Sequence, residues 1–314
     1  MEQLIRMRDA YGESLVRLGK KHEQVVTLTA DVCNSDRSIL FEHEFPDRFF
    51  NVGIAEQSLV DTAVGLAYSG YIPFVNTFAV FLATRAIEMV RTHLCYGRAN
   101  VKLMGAYAGL SDSFDGPTHH SLTDVAIMRC LPNMSVVVPG DPGRMDQVLE
   151  AVYQWDGPVF VRLNRNEVPV LFDSKTYNFR IGTSFQIRDG KDATIFTNGV
   201  MISRCIQAAD QLESEGISTR LVEMHTVKPL DKEAVEKAAE ETGALVTVEE
   251  HSIIGGLGGA VAETVTGFRP VPVVRVGVND QFAETGPYEV LLDHYGLAVS
   301  DVVASVKKGI ALKH

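Results

Sequence analysis

The sequence is poor in cysteine and tryptophan and contains no long apolar run. Its four cysteines (Cys33, Cys95, Cys130 and Cys205) show no C-x-x-C spacing, which excludes the usual zinc and redox motifs and favours free thiols of a cytoplasmic protein. No stretch of 18 apolar residues is present, so the sequence predicts no membrane span. Acidic residues outnumber basic ones and give a formal net charge of −11. A nucleic-acid partner is therefore not expected, because binding phosphates requires basic patches.

Apolar strand-like runs alternate with helical segments along most of the chain. Val25–Ala30 and Ile72–Thr77 are two such runs, and each is separated from the next by a longer segment of helical spacing. This alternation predicts an α/β fold with helices on both faces of a parallel sheet. A chain of 314 residues is long for one core. We therefore expect two consecutive three-layer α/β domains, 1–170 and a smaller, mostly parallel 191–314, joined by a linker with a short hairpin at 171–190.

A single glutamate, Glu56, opens a segment of small and aliphatic residues that runs from Gln57 to Tyr68. The preceding run, Phe49 to Val52, predicts a short buried strand, so Glu56 is expected in the first turn of a buried helix. A buried carboxylate is costly unless it is hydrogen-bonded or protonated. Such a group can share a proton with a ring nitrogen of a cofactor. The same position also suits a carboxylate that only complements the helix dipole.

The segment D-G-P-T-H-H, residues 115–120, places an acid, a hydroxyl and two imidazoles in six positions. Its Gly-Pro pair favours an ordered loop over a helix. Histidine suits proton transfer near neutral pH, and His119 is the preferred functional residue. Adjacent histidines point apart, so His119 and His120 are not expected to share a metal, and no metal ligands are predicted. Alternatively, Asp115 and Thr118 only satisfy backbone donors of the loop.

Phe78 and Phe81 lie three residues apart, a spacing that places both rings on one face of a helix. Two such rings can form a wall on which a flat heterocycle stacks, although aromatic pairs are more often part of the core. The glycine cluster 255–259 has no G-x-G-x-x-G in register and comes too late for the first βα turn. It predicts a tight turn from strand to helix rather than a phosphate loop.

Taken in order, these segments resemble the C-terminal half of a transketolase. That thiamine-diphosphate family also holds the 1-deoxyxylulose-5-phosphate synthases and the 2-oxoacid dehydrogenase β subunits. Asn51–Gln57 is similar to the family's cofactor-activating segment, and Asp115–His119 to its substrate loop. Thr226–Asp231 and Thr247–His251 resemble signatures of its C-terminal domain. The resemblance runs nearly end to end. It implies that the first expected domain binds the cofactor's pyrimidine and that the second is the family's C-terminal domain.

The family's diphosphate-binding motif, G-D-G followed by an asparagine, is absent from the sequence. In the family, this motif holds the diphosphate and its Mg²⁺ or Ca²⁺ on a separate N-terminal domain. The resemblance therefore implies one chain of a split transketolase, whose N-terminal partner subunit holds the diphosphate and the metal in an α2β2 assembly. The implied reaction transfers a two-carbon ketol unit from a ketose or its phosphate to an aldose or its phosphate.

The resemblance also assigns roles to individual residues. Glu56 is expected to hydrogen-bond the aminopyrimidine of thiamine diphosphate and favour its imino tautomer, while Phe78, backed by Phe81, stacks on the ring. The expected cofactor-binding set is Asp31, Ile54, Glu56, Phe78 and Phe81. The expected substrate-binding set is Arg8, Ser35, Asp115, His119, Arg162 and Arg165, of which one of the last two meets the acceptor's phosphate. The expected catalytic residues are Glu56 and His119.

One position departs from the family's pattern. Many transketolases have a histidine eight residues before the loop aspartate, where it helps to bind sugar phosphate, and here that position is Tyr107. A tyrosine offers a hydrogen bond but no charge at neutral pH, so weaker phosphate affinity or a different sugar is expected. Three alternatives stay open: a 2-oxoacid dehydrogenase β subunit, a 1-deoxyxylulose-5-phosphate synthase fragment and a non-catalytic scaffold. The D-G-P-T-H-H loop argues against the first, and the joint presence of Glu56, Phe78 and His119 against the last.

Overall fold

The computed structural model describes residues 3–172 and 177–313. Its strands are β1 (Leu4–Arg6), β2 (Val25–Thr29), β3 (Phe49–Asn51), β4 (Ile72–Phe78), β5 (Lys102–Ala106), β6 (Ser135–Val137), β7 (Val159–Arg162), β8 (Glu167–Pro169), β9 (Phe185–Arg188), β10 (Ala193–Thr197), β11 (Thr219–Glu223), β12 (Thr226–Lys228), β13 (Leu245–Ser252) and β14 (Val273–Val278). Its α-helices are α1 (Met7–Lys21), α2 (Cys33–Asp36), α3 (Ile39–Glu44), α4 (Glu56–Tyr68), α5 (Ala79–Thr84), α6 (Ile87–Met89), α7 (Asp124–Cys130), α8 (Met145–Gln154), α9 (Met201–Ser214), α10 (Lys232–Glu241), α11 (Leu257–Phe268), α12 (Tyr288–His294) and α13 (Val299–Ala311). A π-helix spans Val90–Tyr96, and short 3-10 helices span Pro46–Arg48 and Pro142–Arg144.

The larger sheet has the strand order β12-β6-β7-β5-β4-β2-β3 within the described ranges. Its pairings are parallel except that of β12 with β6. Strands β2, β5 and β7 are buried along their whole length, as expected when helices cover both faces. One apolar cluster joins α1 and α8 to the sheet, and another joins α4, α5 and α7. In the part of the chain that the structure describes, no helix is both long and apolar enough to cross a bilayer.

The second sheet has the order β14-β13-β10-β11-β9 and is parallel except where β9 meets β11. Helices α9 and α13 pack in one of its apolar clusters, and α10 and α11 in another. The prediction of two consecutive α/β domains is confirmed. Strand β9 lies inside the range 171–190, the expected linker with a short hairpin, and pairs with β11 at the sheet edge. Residues 173–176 of that range lie outside the described residues.

A strand from the second half of the chain completes the first sheet. Thr226–Lys228 (β12) pairs antiparallel with Ser135–Val137 (β6). The Nζ of Lys228 donates hydrogen bonds to the carbonyls of Arg129, at 3.0 Å, and of Leu131. These carbonyls lie at the end of α7, where backbone acceptors lack partners inside the helix. The two domains are therefore joined by strand pairing as well as by packing.

Candidate active site

Four neighbouring strand ends bring candidate residues to one edge of the first sheet. Asp31 follows β2 with a φ of 64°, and Phe78 ends β4. Tyr107 follows β5 with a φ of 58°, and Arg165 follows β7. In an open α/β sheet, the carboxyl ends of parallel strands border the crevice in which ligands bind. The fold therefore gathers these side chains around one crevice.

Glu56 is the first residue of α4, as the sequence predicts, and its side chain is 2% exposed. In the turn before it, Gly53 adopts a φ of +75° and its amide donates to the side-chain oxygen of Asn51 at 2.9 Å. Both carboxylate oxygens of Glu56 accept from Nη1 of Arg85 at 2.9 Å. The arginine supplies the opposite charge that a buried carboxylate requires. Arg85 belongs to no sequence motif, and sequence reasoning missed it.

Aromatic rings stand beside this ion pair. The guanidinium of Arg85 lies 4.1 Å from the ring centroid of Phe81. Phe81 and Phe78 stack with centroids 5.8 Å apart, and Phe78 also stacks on Tyr107 at 4.5 Å. The ring of His119 meets Phe81 and Phe78 edge-on, at 5.4 Å and 6.0 Å. The prediction of one shared helix face is wrong, because Phe78 ends β4 and Phe81 lies in α5, yet the two rings do form one wall.

The loop that carries the acid and the two imidazoles runs past this wall. Asp115 is exposed, His119 is half-buried and His120 is buried. The amide of His119 donates to the carbonyl of Gly116 at 2.9 Å, and its Nδ1 lies 3.0 Å from the hydroxyl of Thr118. Burial lowers the pKa of the His120 imidazole. His119 is therefore the histidine of the pair that faces the crevice.

Asp31 and Ile54 lie at the rim of the crevice. The side-chain amide of Asn51 donates to Oδ1 of Asp31 at 2.9 Å, which fixes the carboxylate just beyond β2. Ile54 is 76% exposed in the turn before α4. Both side chains are exposed.

Arg8 and Ser35 lie at the other end of the crevice, beside Tyr107. Nη1 of Arg8 donates to the hydroxyl of Tyr107 at 2.7 Å and to the backbone carbonyl of Ser35 at 3.1 Å. The Tyr107 hydroxyl in turn donates to the same carbonyl at 3.1 Å. Ser35 thus enters this network through its backbone, and Tyr107 takes up part of the arginine's hydrogen-bonding capacity.

Arg165 reaches the same end of the crevice. Its guanidinium lies 4.8 Å from the ring centroid of Tyr107, and Nη1 donates to Oδ1 of Asp112 at 2.8 Å. The Asp112 side chain is fully buried. Burial and, after it, repulsion from Asp115 raise the pKa of Asp112 to about 6, against the attraction of Arg165. Sequence reasoning missed Asp112 because it precedes the recognised motif and its burial depends on tertiary packing.

Arg162 lies outside the crevice. Its Nε donates to Oδ2 of Asp124 at 2.7 Å, and Nη2 donates to the carbonyls of Ser121 at 2.9 Å and Glu250 at 2.8 Å. Its side chain is 5% exposed. The sequence left open which of Arg162 and Arg165 meets the acceptor's phosphate, and the guanidinium of Arg162 is engaged in the protein interior. Of the two arginines, Arg165 is the one that borders the crevice.

Two family comparisons match consecutive parts of the chain. The family described as transketolase, pyrimidine binding domain, matches residues 3–170, and the family described as transketolase, C-terminal domain, matches residues 182–302. The chain belongs to the transketolase family. The predicted resemblance is thereby confirmed.

Similar transketolase-family proteins cover nearly the whole chain. A Methanocaldococcus jannaschii protein named for a transketolase C-terminal section is 41% identical over 93% of this chain and 92% of its own length. The 6-deoxy-6-sulfo-D-fructose transketolase subunit of a Clostridium species is 38% identical over 95% and 92%. A solved structure described as a split gene transketolase, inactive beta4 tetramer, matches with a TM-score of 0.92 at 45% identity, over 99% of this chain and 100% of that one. Campylobacter jejuni transketolase shares the fold, with a TM-score of 0.83 at 20% identity, over 98% of this chain and 47% of its own.

The C-terminal domain contacts Gly109 and Leu110, which lead into the candidate loop that carries Asp115 and His119. Glu250, near the end of β13, accepts from the Leu110 amide at 2.8 Å and from the Asn164 side chain at 3.2 Å. At Gly109, which has a φ of +66°, a Cβ would lie 2.3 Å from the carboxyl carbon of Glu250, so glycine is required there. Burial raises the pKa of Glu250 to about 7, against the attraction of Arg162.

We expect Glu250→Gln to gain stability relative to the unaltered chain as the pH rises from about 5 to about 7.5. The pKa of Glu250 is about 7 in the folded chain and 4.5 as its ordinary value, so the folded state keeps a proton that the unfolded state has lost. Stability from this group is therefore lost as the pH rises through that window, and the neutral glutamine removes the loss. Urea unfolding of both proteins across this range is the measurement, and a pH-independent difference would contradict the expectation.

Proposed function

We propose that this chain is the pyrimidine-side subunit of a two-chain, thiamine-diphosphate-dependent transketolase, which transfers a two-carbon ketol unit from a ketose to an aldose. The observation that carries the proposal is the buried carboxylate of Glu56 next to the stacked rings of Phe78 and Phe81. These residues lie within the range that matches the pyrimidine-binding family. A carboxylate beside an aromatic wall suits a flat heterocycle with ring nitrogens.

The side chains of the crevice fit the pyrimidine half of the cofactor. Phe78, backed by Phe81, would stack on the ring, and Glu56 would hydrogen-bond a ring nitrogen. Asp31 would lie on the thiazolium side of the cofactor, and Ile54 would border the pyrimidine. When bound, thiamine diphosphate supplies the electron sink for breaking and forming the carbon–carbon bond. The chain's own part is to orient the ring and to hold a proton at the Glu56 carboxylate.

The substrate would lie beside His119, next to the wall that Phe78 and Phe81 form. Asp115 and His119 are the proposed contacts to the hydroxyls and carbonyl of the ketose. His119 is half-buried, and its ring meets Phe81 edge-on at 5.4 Å. Arg8, Ser35 and Arg165 would border the end of the sugar that is remote from the reacting carbonyl.

We infer that the active form contains a second chain that carries the diphosphate and Mg²⁺ or Ca²⁺ site, in a cytoplasmic α2β2 assembly. The sequence has no G-D-G motif. The Methanocaldococcus jannaschii relative, of which this chain covers 92%, is itself named for a transketolase C-terminal section. The related structure composed of beta subunits alone is described as inactive.

A ketol-transfer assay on the purified chain tests the proposal. Thiamine diphosphate and Mg²⁺ are added with xylulose as donor and ribose as acceptor, each with and without its 5-phosphate, and with or without a G-D-G chain from the same organism. We expect transfer only when both chains are present. Full activity of this chain alone would contradict the two-chain proposal. A stable complex of both chains that transfers no ketol unit would contradict the reaction.

A synthase reaction is the second candidate. The 1-deoxy-D-xylulose-5-phosphate synthase of Heliobacterium modesticaldum is 37% identical over 295 residues, although this chain covers only 45% of its length. That chemistry uses pyruvate as donor and releases carbon dioxide. Adding pyruvate and glyceraldehyde 3-phosphate to the same two-chain mixture separates the candidates, since carbon dioxide is released only in the synthase reaction.

A further inference from the structure

A cavity of about 550 Å³ opens beside the candidate loop, at the far end of the proposed substrate path. Arg6, Arg8 and Arg165 line it, together with Glu167 and Glu289. Three guanidinium groups around one cavity suggest at first a site for a phosphate, because arginine binds phosphate through paired donors. The contacts of these arginines argue against a phosphate site.

Each arginine already has a partner within the protein. Arg6 pairs with Glu167 at 3.1 Å, and both of those side chains are about half exposed. Nη1 of Arg8 donates hydrogen bonds to the Tyr107 hydroxyl at 2.7 Å and to the backbone carbonyl of Ser35 at 3.1 Å. The exposed pair is screened by solvent and can open at little cost. The ion pair of Arg165 is different, because the carboxylate of its partner, Asp112, is fully buried.

Asp112 holds Arg165 from inside the protein. The Asp112 side chain is 0% exposed, and the guanidinium that it binds at 2.8 Å is 34% exposed. Its second oxygen is buried and has no hydrogen-bond partner among the described residues. If Arg165 turned to an external anion, the Asp112 carboxylate would remain buried without a counter-charge, which is strongly unfavourable. Arg165 is therefore less available to a substrate than its position suggests.

We propose that Asp112 is a specificity-determining residue that holds Arg165 away from anionic substrates, so that the cavity accepts the uncharged, hydroxyl-bearing end of a sugar in preference to a phosphorylated end. The proposal rests on the proposed ketol transfer and specifies its substrate class.

The chemistry of the cavity supports an uncharged end. Two of the three arginines, Arg6 and Arg165, are neutralised by the carboxylates of Glu167 and Asp112. Glu289 pairs with Arg204 at 2.6 Å, and Arg8 is the one cavity arginine without a carboxylate partner among the described residues. Ser111, Ser113 and Asn166 also line the cavity and offer neutral hydrogen-bonding groups. Hydroxyls of a sugar can both donate to and accept from such groups.

Asp112→Asn is the first test. The amide keeps the shape of the side chain but removes the charge that holds Arg165. In the two-chain enzyme, we expect the ratio of kcat/KM for ribose 5-phosphate to kcat/KM for ribose to rise by about tenfold or more over that of the unaltered enzyme. Asp146→Asn is the matched control, since Asp146 also accepts from an arginine, Arg17, at 2.8 Å but is more than half exposed. Its ratio should stay within about twofold.

Arg165→Gln tests the same proposal independently of how Asp112→Asn folds. If Arg165 is held by Asp112, its loss should change the phosphate-to-sugar ratio by less than about threefold. A fall of about tenfold or more would show that Arg165 already binds phosphate, and would overturn the proposal. A folded Asp112→Asn variant with an unchanged ratio would overturn it as well.

Calorimetry separates this proposal from the ketol-transfer proposal. Inorganic phosphate is titrated into the chain alone, unaltered and with Asp112→Asn. We expect the variant to bind phosphate about tenfold more tightly. That result would support the role of Asp112 even if no mixture transferred a ketol unit. Equal phosphate affinities of the two chains, together with ketol transfer by the two-chain enzymes, would overturn the role of Asp112 and leave the proposed reaction standing.

Discussion

Glu56→Gln is expected to lower the kcat of the two-chain enzyme by about 10²–10⁴-fold at saturating thiamine diphosphate. Glutamine has the shape of glutamate but cannot hold the proton that the proposed role assigns to the carboxylate. The fold should survive the change, because Arg85, the residue that pairs with Glu56, is 42% exposed and can be solvated when its partner is neutral. The measurement is steady-state ketol transfer, with the melting temperature followed in parallel.

Glu263→Gln is the matched control for this variant. Glu263 also accepts from an arginine, Arg129, at 3.1 Å and 2.6 Å, but it lies in α11 and is 66% exposed. Its kcat should stay within about twofold of the unaltered enzyme, since exposed ion pairs contribute little. A near-normal kcat in Glu56→Gln would contradict the proposed role. Glu56 would then be a carboxylate that only complements the helix dipole.

Arg162→Met is expected to lower the free energy of unfolding by about 3–5 kcal/mol. The substitution leaves Asp124 fully buried without its guanidinium, and it removes hydrogen bonds to the carbonyls of Ser121 and Glu250. An uncompensated buried charge is among the most destabilising changes that a single substitution can make. The measurement is urea unfolding of the isolated chain, followed by circular dichroism.

Two further variants identify the cause of that loss. Arg17→Met removes an arginine that is 53% exposed, and should change the free energy of unfolding by about 0–1 kcal/mol. The double variant Arg162→Met, Asp124→Leu removes both charges and should be more stable than Arg162→Met alone. Equal losses in Arg162→Met and Arg17→Met would mean that the buried pair contributes no more than a surface one.

The part of the site that could be predicted from sequence consists of residues that carry chemistry within short segments. Glu56 begins α4 as expected, because small and aliphatic residues after it favour a helix and a carboxylate suits the first turn. The ring pair of Phe78 and Phe81 was also foreseeable, although the helix begins only after Phe78. Arg85 and Asp112 were not foreseeable, because each acts through a partner that only the tertiary fold brings near.

The two arginines at and just after the end of β7 show the same limit. Arg162 ends the strand, and Arg165 stands three residues later in an irregular segment. The alternation of side chains along a strand decides which face a residue occupies, but the sequence does not show where the strand ends. Only the contacts with Asp124 and Asp112 reveal that one guanidinium lies in the interior and the other borders the crevice.

Because Thr226–Lys228 completes the first sheet, the places where a gene for this fold can be divided are not equivalent. A division between the two sheets of this chain would leave Ser135–Val137 as a bare edge, and a bare edge pairs readily with strands of other molecules. Each fragment would also lose backbone hydrogen bonds that only the other can restore. A division ahead of the first sheet removes none of the strand pairings described here. Division of a gene at that point would keep the pairing of β12 with β6 in one chain, whereas division between the sheets would expose unpaired strand edges in both halves.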